Sequence, residues 1–96
     1  MSVDTVDTKK VYRLADRLML KPDGDVTLAF DPQTLAVHQL NATLAAVAER
    51  LDGERSTESV VLACSEAWGL DVGATSREVY RSLQILLAES LIEVCE

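Results

Sequence analysis

The apolar positions of this chain change period at Asn41. Before it they recur at every second residue, as a half-buried strand requires, and after it every three or four residues, as a helix buried along one stripe requires. From Arg13 to Lys21, Leu14, Leu18 and Leu20 fall on one face and Arg13, Arg17, Met19 and Lys21 on the other, which predicts a first strand. Pro22-Asp23-Gly24 then turns the chain. Val26, Leu28 and Phe30 alternate with Thr27 and Ala29 in a second strand, and Asp31-Pro32-Gln33-Thr34 has proline where a type I turn favours it. Leu35 to Leu40 makes a third strand and completes a meander.

The remainder reads as three helices. The first, about Ala42 to Leu51, is capped by the Asn41 side chain, buries Leu44, Val47 and Leu51, and is closed by Gly53 in the left-handed conformation. The second starts near Ser56 or Thr57, exposes Glu58 near its positive end, buries Val60 or Val61, Leu62, Cys64 and Trp68, and stops at Gly69. For the third, Thr75-Ser76-Arg77-Glu78 matches a capping box, Val79, Leu83, Leu86 and Leu87 form the stripe, and Leu91 and Ile92 close the core. Residues 1–10 are polar without periodicity and are expected to be a disordered tail, leaving residues 11–96 as a single domain. The expected fold class is α+β and winged-helix-like, a three-stranded antiparallel sheet followed by three helices.

Composition narrows the function. Ninety-six residues, 48% of them apolar with four Gly and two Pro, suit one folded domain with a modest core. No stretch approaches the roughly eighteen apolar residues of a membrane span, and the first residues lack the basic start of a signal peptide, so a cytoplasmic location is expected. The net charge of −7 is uneven: residues 1–40 hold five basic and six acidic residues (5 − 6 = −1), residues 41–96 four and ten (4 − 10 = −6). A negative helical half repels phosphate backbones, so a winged-helix layout here does not by itself mean DNA binding.

No catalytic constellation is visible, and the chain is not expected to be an enzyme. Ser65 lacks the flanking glycines of a nucleophile elbow, and His38 has no acidic partner fixed by sequence. Cys64 and Cys95 have no metal-type spacing with His38 and read as reduced thiols, so neither a metal nor a cofactor is expected. His38 matters by position. In a meander the third strand is an edge with unpaired N–H and C=O groups, and this one carries His38 and Gln39 in place of the protective Lys or Pro.

Leu40-Asn41 opening the first helix, Leu51-Asp52-Gly53-Glu54-Arg55 closing it, and the Leu83 to Ile92 segment ending Leu87-Ala88-Glu89-Ser90-Leu91-Ile92 come in an order and spacing that resembles the PqqD-like peptide chaperones, also called RiPP recognition elements. The resemblance runs from about Val11 to Val94, with two departures: Ser90 stands where such proteins often place Gly, and the linker Leu70 to Ala74 contains an extra Gly73. It implies that the leader of a ribosomally made precursor peptide adds as a strand antiparallel to the third strand, its side chains in a groove against the third helix. Mapped onto this chain, the groove takes Ala36, Val37, His38, Gln39 and Leu40 from the strand and Arg77, Tyr80, Arg81, Gln84 and Leu87 from the helix, the last five from a wheel centred on Val79 and Leu83. Tyr80 is equally compatible with the edge of the core. The implied partners are the leader and a modifying enzyme, a radical SAM protein, peptidase or cyclase, with the chain a monomer or homodimer that binds no nucleic acid and no membrane. A winged-helix DNA-binding regulator would want a more basic third helix, and an acyl carrier would need an Asp-Ser-Leu attachment site, which is absent. A general protein–protein adaptor is the remaining alternative.

Overall fold

The computed structural model describes residues 9–95 and has, in order, β1 (Val11–Leu14), β2 (Met19–Asp23), β3 (Val26–Asp31), β4 (Ala36–Leu40), α1 (Ala42–Glu49), β5 (Asp52–Ser56), α2 (Thr57–Trp68), α3 (Val72–Ala88) and β6 (Ile92–Cys95). The antiparallel meander β2-β3-β4 and the three helices are the α+β layout read from the sequence. A second antiparallel sheet, β5-β1-β6, was not anticipated. Its cause is a break in the run from Arg13: Ala15 N–H donates to Leu91 O at 2.9 Å and Leu18 N–H to Ala15 O at 3.1 Å, so the chain turns between Leu14 and Met19. The alternation of Leu14, Leu18 and Leu20 therefore spans two strands in different sheets. Residues 1–8 of the expected tail lie outside the described residues, and the Lys10 carbonyl accepts from Thr57 N at 2.9 Å and Thr57 Oγ1 at 3.0 Å.

The faces of β3 differ from those the large side chains suggest. Thr27, Ala29 and Asp31 are buried, and Val26, Leu28 and Phe30 are half-buried on the opposite face. Ala-rich α1 packs over β3 with Ala45 and Ala48 in the core beside Ala29, and small residues on both sides allow that close approach.

The helix ends follow local chemistry. Asn41 Oδ1 accepts from Leu44 N at 2.9 Å, as expected of an N-cap. α1 stops at Glu49 with Arg50 as its cap, so Gly53 does not close it. Gly53 has its left-handed backbone (φ 81) inside β5, where Asp52 Oδ1 accepts from Glu54 N and Arg55 N at 2.9 Å each. α2 is capped by Ser56 and ended by Gly69, and Val60, Val61 and Cys64 are buried as expected, but Leu62 is exposed and Trp68 only half-buried. The cap of α3 is Asp71, whose Oδ1 accepts from Ala74 N at 2.8 Å. The Thr75-Ser76-Arg77-Glu78 segment lies inside that helix, with Thr75 Oγ1 donating to Asp71 O at 2.9 Å. Val79, Leu83 and Leu86 are fully buried, joined by Tyr12, Val47, Val60, Leu91 and Ile92 in one core.

Candidate functional site

β4 is an edge strand. Its register with β3 runs from Asp31↔Ala36 to Thr27↔Leu40, and no described strand covers its other side. Ala36, His38 and Leu40 turn toward the helices, and Val37 and Gln39 toward solvent. The hairpin feeding β4 is firmly built: Asp31 Oδ1 accepts from Gln33 N at 2.9 Å, and Leu35, left-handed at φ 64, donates its N–H to Asp31 O at 2.7 Å.

Between this edge and α3 lies a depression of about 290 Å³ lined by His38, Gln39, Leu40, Leu44, Ile85, Leu86, Glu89 and Leu91. Leu40, Leu86 and Leu91 are its buried floor, Leu44 and Ile85 its apolar walls, and His38 Nδ1 stands 3.5 Å from Glu89 Oε1 at its polar end. Arg17 ties its two walls together. The guanidinium Nε donates to Asp31 Oδ2 at 2.9 Å, at the base of the β3–β4 hairpin, and Nη2 donates to Ser90 O at 3.0 Å, at the end of α3. That guanidinium, with further backbone donation, holds the Asp31 carboxyl below the usual carboxylate range. Sequence alternation had put Arg17 on a solvent face, yet its side chain is largely covered.

Of the residues the sequence assigned to the groove, His38, Gln39 and Leu40 line the depression, and Ala36 and Val37 continue the same strand. The α3 residues divide. Arg77, Arg81 and Gln84 are all exposed, and none of them lines the depression. Tyr80 lies on the opposite flank, in a depression of about 250 Å³ between α2 and α3 with Val61, Leu62 and Val72, and Leu87 is two turns beyond it on that flank, packed on the core. The wheel had two flanks beside the Val79–Leu83 stripe, and the flank facing β4 is the one carrying Ile85 and Glu89. Ile85, Glu89 and Leu44 are therefore the wall residues that sequence reasoning missed. An apolar Ile85 outside the core stripe was the available signal.

The outer face of β2-β3-β4 is apolar as well. Met19, Leu28, Phe30 and Val37 lie side by side through the pairs Met19↔Phe30 and Phe30↔Val37, around a depression of about 410 Å³. Among the described residues no group of three or more His, Cys, Asp or Glu is placed to hold a metal ion, and no helix is long and apolar enough to cross a membrane. Cys64 and Cys95 are free thiols, and burial pushes the Cys64 thiol up from its ordinary value.

Two solved structures share this architecture. The PqqD truncation of Methylobacterium extorquens PqqCD, described as a functional, stand-alone RiPP recognition element, superposes with a TM-score of 0.77 at 17% identity, covering 97% of this chain and 99% of that one. TbiB1 in complex with the TbiA(beta) leader peptide superposes with a TM-score of 0.71 at 20% identity, covering 84% of this chain and 94% of that one. At such identities the likeness is one of fold. The curated proteins contain no match to the chain. The family described as Coenzyme PQQ synthesis protein D (PqqD) matches residues 27–92, from the second meander strand through α3 to the start of β6, and by that match over more than half its length the chain belongs to the PqqD family.

Proposed function

We propose that this chain binds the leader of a ribosomally made precursor peptide by strand addition and presents it to a separate modifying enzyme. The observation that carries the reading is the β4 edge, uncovered by any described strand and bordered by an apolar groove against α3. Strand addition takes its generic affinity from backbone hydrogen bonds and its selectivity from alternate side chains. The leader would lie antiparallel to Ala36–Leu40, with one face of its side chains over Leu40, Leu44 and Ile85.

Each hydrogen bond contributes about 1 kcal/mol and each buried apolar side chain roughly 1.5–3 kcal/mol. Against these stand about 2–5 kcal/mol for ordering a flexible leader and at least about 4 kcal/mol of association entropy. Gains and costs are of similar size, and the Kd we expect is high nanomolar to micromolar. The domain itself performs no chemistry in this reading: it raises the effective concentration of the attached core peptide at the enzyme, whose class on family grounds is a radical SAM protein, peptidase or cyclase. A cytoplasmic location and a monomeric or homodimeric chain accompany the proposal.

The test is a pair of proline substitutions. His38 and Gln39 are adjacent on β4, so one N–H points outward and the other into the β3 ladder. Of His38→Pro and Gln39→Pro, the variant that loses the outward donor should abolish leader binding measured by calorimetry while remaining folded. The other should mainly lower stability. Unchanged leader affinity in both variants would reject the β4 edge as the binding site.

A further inference from the structure

Glu89 sits where the helix disfavours a carboxylate. It caps the C-terminus of α3, where the backbone carbonyls already concentrate negative potential and an anion is disfavoured, and the last turn of that helix has no basic residue. Its side chain is 55% exposed at the polar end of the groove, and among the described residues the one basic group within 4 Å of it is the His38 imidazole, at 3.5 Å, which forms an ion pair with it only when protonated. The nearby cations are otherwise engaged or remote. Arg17 is committed to Asp31 and to the Ser90 carbonyl. Arg81, two turns back, is about 12 Å away along the helix axis, beyond the roughly 8 Å over which surface charges act at physiological salt. The −7 chain adds no compensating field.

The wall next to this carboxylate is apolar. Ile85, 42% exposed, stands one turn before Glu89, with Leu44 beside it. One helical turn separates Ile85 and Glu89 by about 6 Å of rise, and an extended strand spaces successive side chains on one face by about 6.7 Å. An added strand running along α3 would place alternate side chains against Ile85 and then Glu89. A lysine or arginine at the second position would lay its aliphatic stem on the apolar wall and bring its charge to the carboxylate.

We propose that Glu89 is a specificity-determining residue, and that the groove selects an extended peptide carrying a lysine or arginine two residues from an aliphatic side chain on the face turned to α3. The inference rests on the strand-addition reading and names the class of peptide it takes.

A display library of random ten-residue peptides, selected on the full chain, tests it. Recovered peptides are measured by calorimetry against the wild type, Glu89→Gln and Glu89→Lys, with the amide shifts of residues 36–40 recording where they bind. Glu89→Gln removes an anion from a helix C-terminus and should stay folded, which circular dichroism checks. The expected result is enrichment of Lys or Arg two positions from Leu, Ile, Val or Met, with binding about three- to tenfold weaker to Glu89→Gln. Peptides whose basic residue is changed to Glu should then prefer Glu89→Lys over the wild type. Peptides that shift residues 36–40, show no basic enrichment and bind Glu89→Gln as well as the wild type would overturn this inference and leave strand addition standing. Recovered peptides that leave residues 36–40 unshifted, or no recovered peptide at all, would overturn both.

Discussion

Ser90 holds a backbone conformation that side chains disfavour, at φ 61 just past the end of α3, with Leu91 N–H donating to Leu86 O at 2.9 Å. This is the left-handed residue that ends a helix, and it stands where the family resemblance led one to expect glycine. Ser90→Gly should relieve the strain and raise stability by roughly 0.5–1 kcal/mol in urea unfolding, with the carbonyl still available to Arg17; a loss of stability would show that the serine side chain itself contributes. Asn41→Ala removes the cap on Leu44 N and should cost about 0.5–2 kcal/mol in the same measurement, without contact to the groove. Asp31 gives a pH signature. Its folded pKa is depressed, by the Arg17 hydrogen bond first, so its contribution is present above the unfolded carboxylate value of about 3.9 and is lost as pH falls through the folded one. Asp31→Asn should therefore be less stable at neutral pH, and the gap to the wild type should close as unfolding is followed downward from about pH 4. A gap that stayed constant with pH would mean that the Arg17–Asp31 pair is not its source.

At the scale of elements, the parts legible in the sequence were those with strong local periodicity or local caps. The second and third meander strands, the Asn41 and Ser56 caps, the Gly69 stop and the Val79–Leu83–Leu86 stripe all answer to residues within one or two turns of themselves. β5 and β6 did not. Asp52–Ser56 is polar and Ile92–Cys95 is short, and each becomes a strand only by pairing with β1, about 40 and 80 residues away in sequence. Register and burial of the meander depended on distance in the same way: nothing local says that Ala29 and not Phe30 faces the helices until α1 is seen to pack there. The strand half of the candidate site was legible because an edge strand is defined by what lies beside it in the meander. The helix half was not, because the flank of α3 that meets β4 is set by whether α1 or α2 packs on each side.

For the whole molecule, charge and shape separate the competing readings. A chain of net −7 with six of those charges beyond residue 40 displaces few counterions from a duplex, so DNA binding at physiological salt should be undetectable by fluorescence anisotropy. Salt-sensitive submicromolar binding would instead favour the regulator reading. Where a leader peptide lands on the full chain is read by amide-shift mapping during titration with the leader of a co-encoded precursor. Shifts should concentrate in Ala36–Leu40 and around Leu44, Ile85 and Glu89, together with slowed exchange of alternate β4 amides as they gain partners. Shifts confined to β1 and β2, or to the Tyr80 flank between α2 and α3, would contradict binding at the β4 edge.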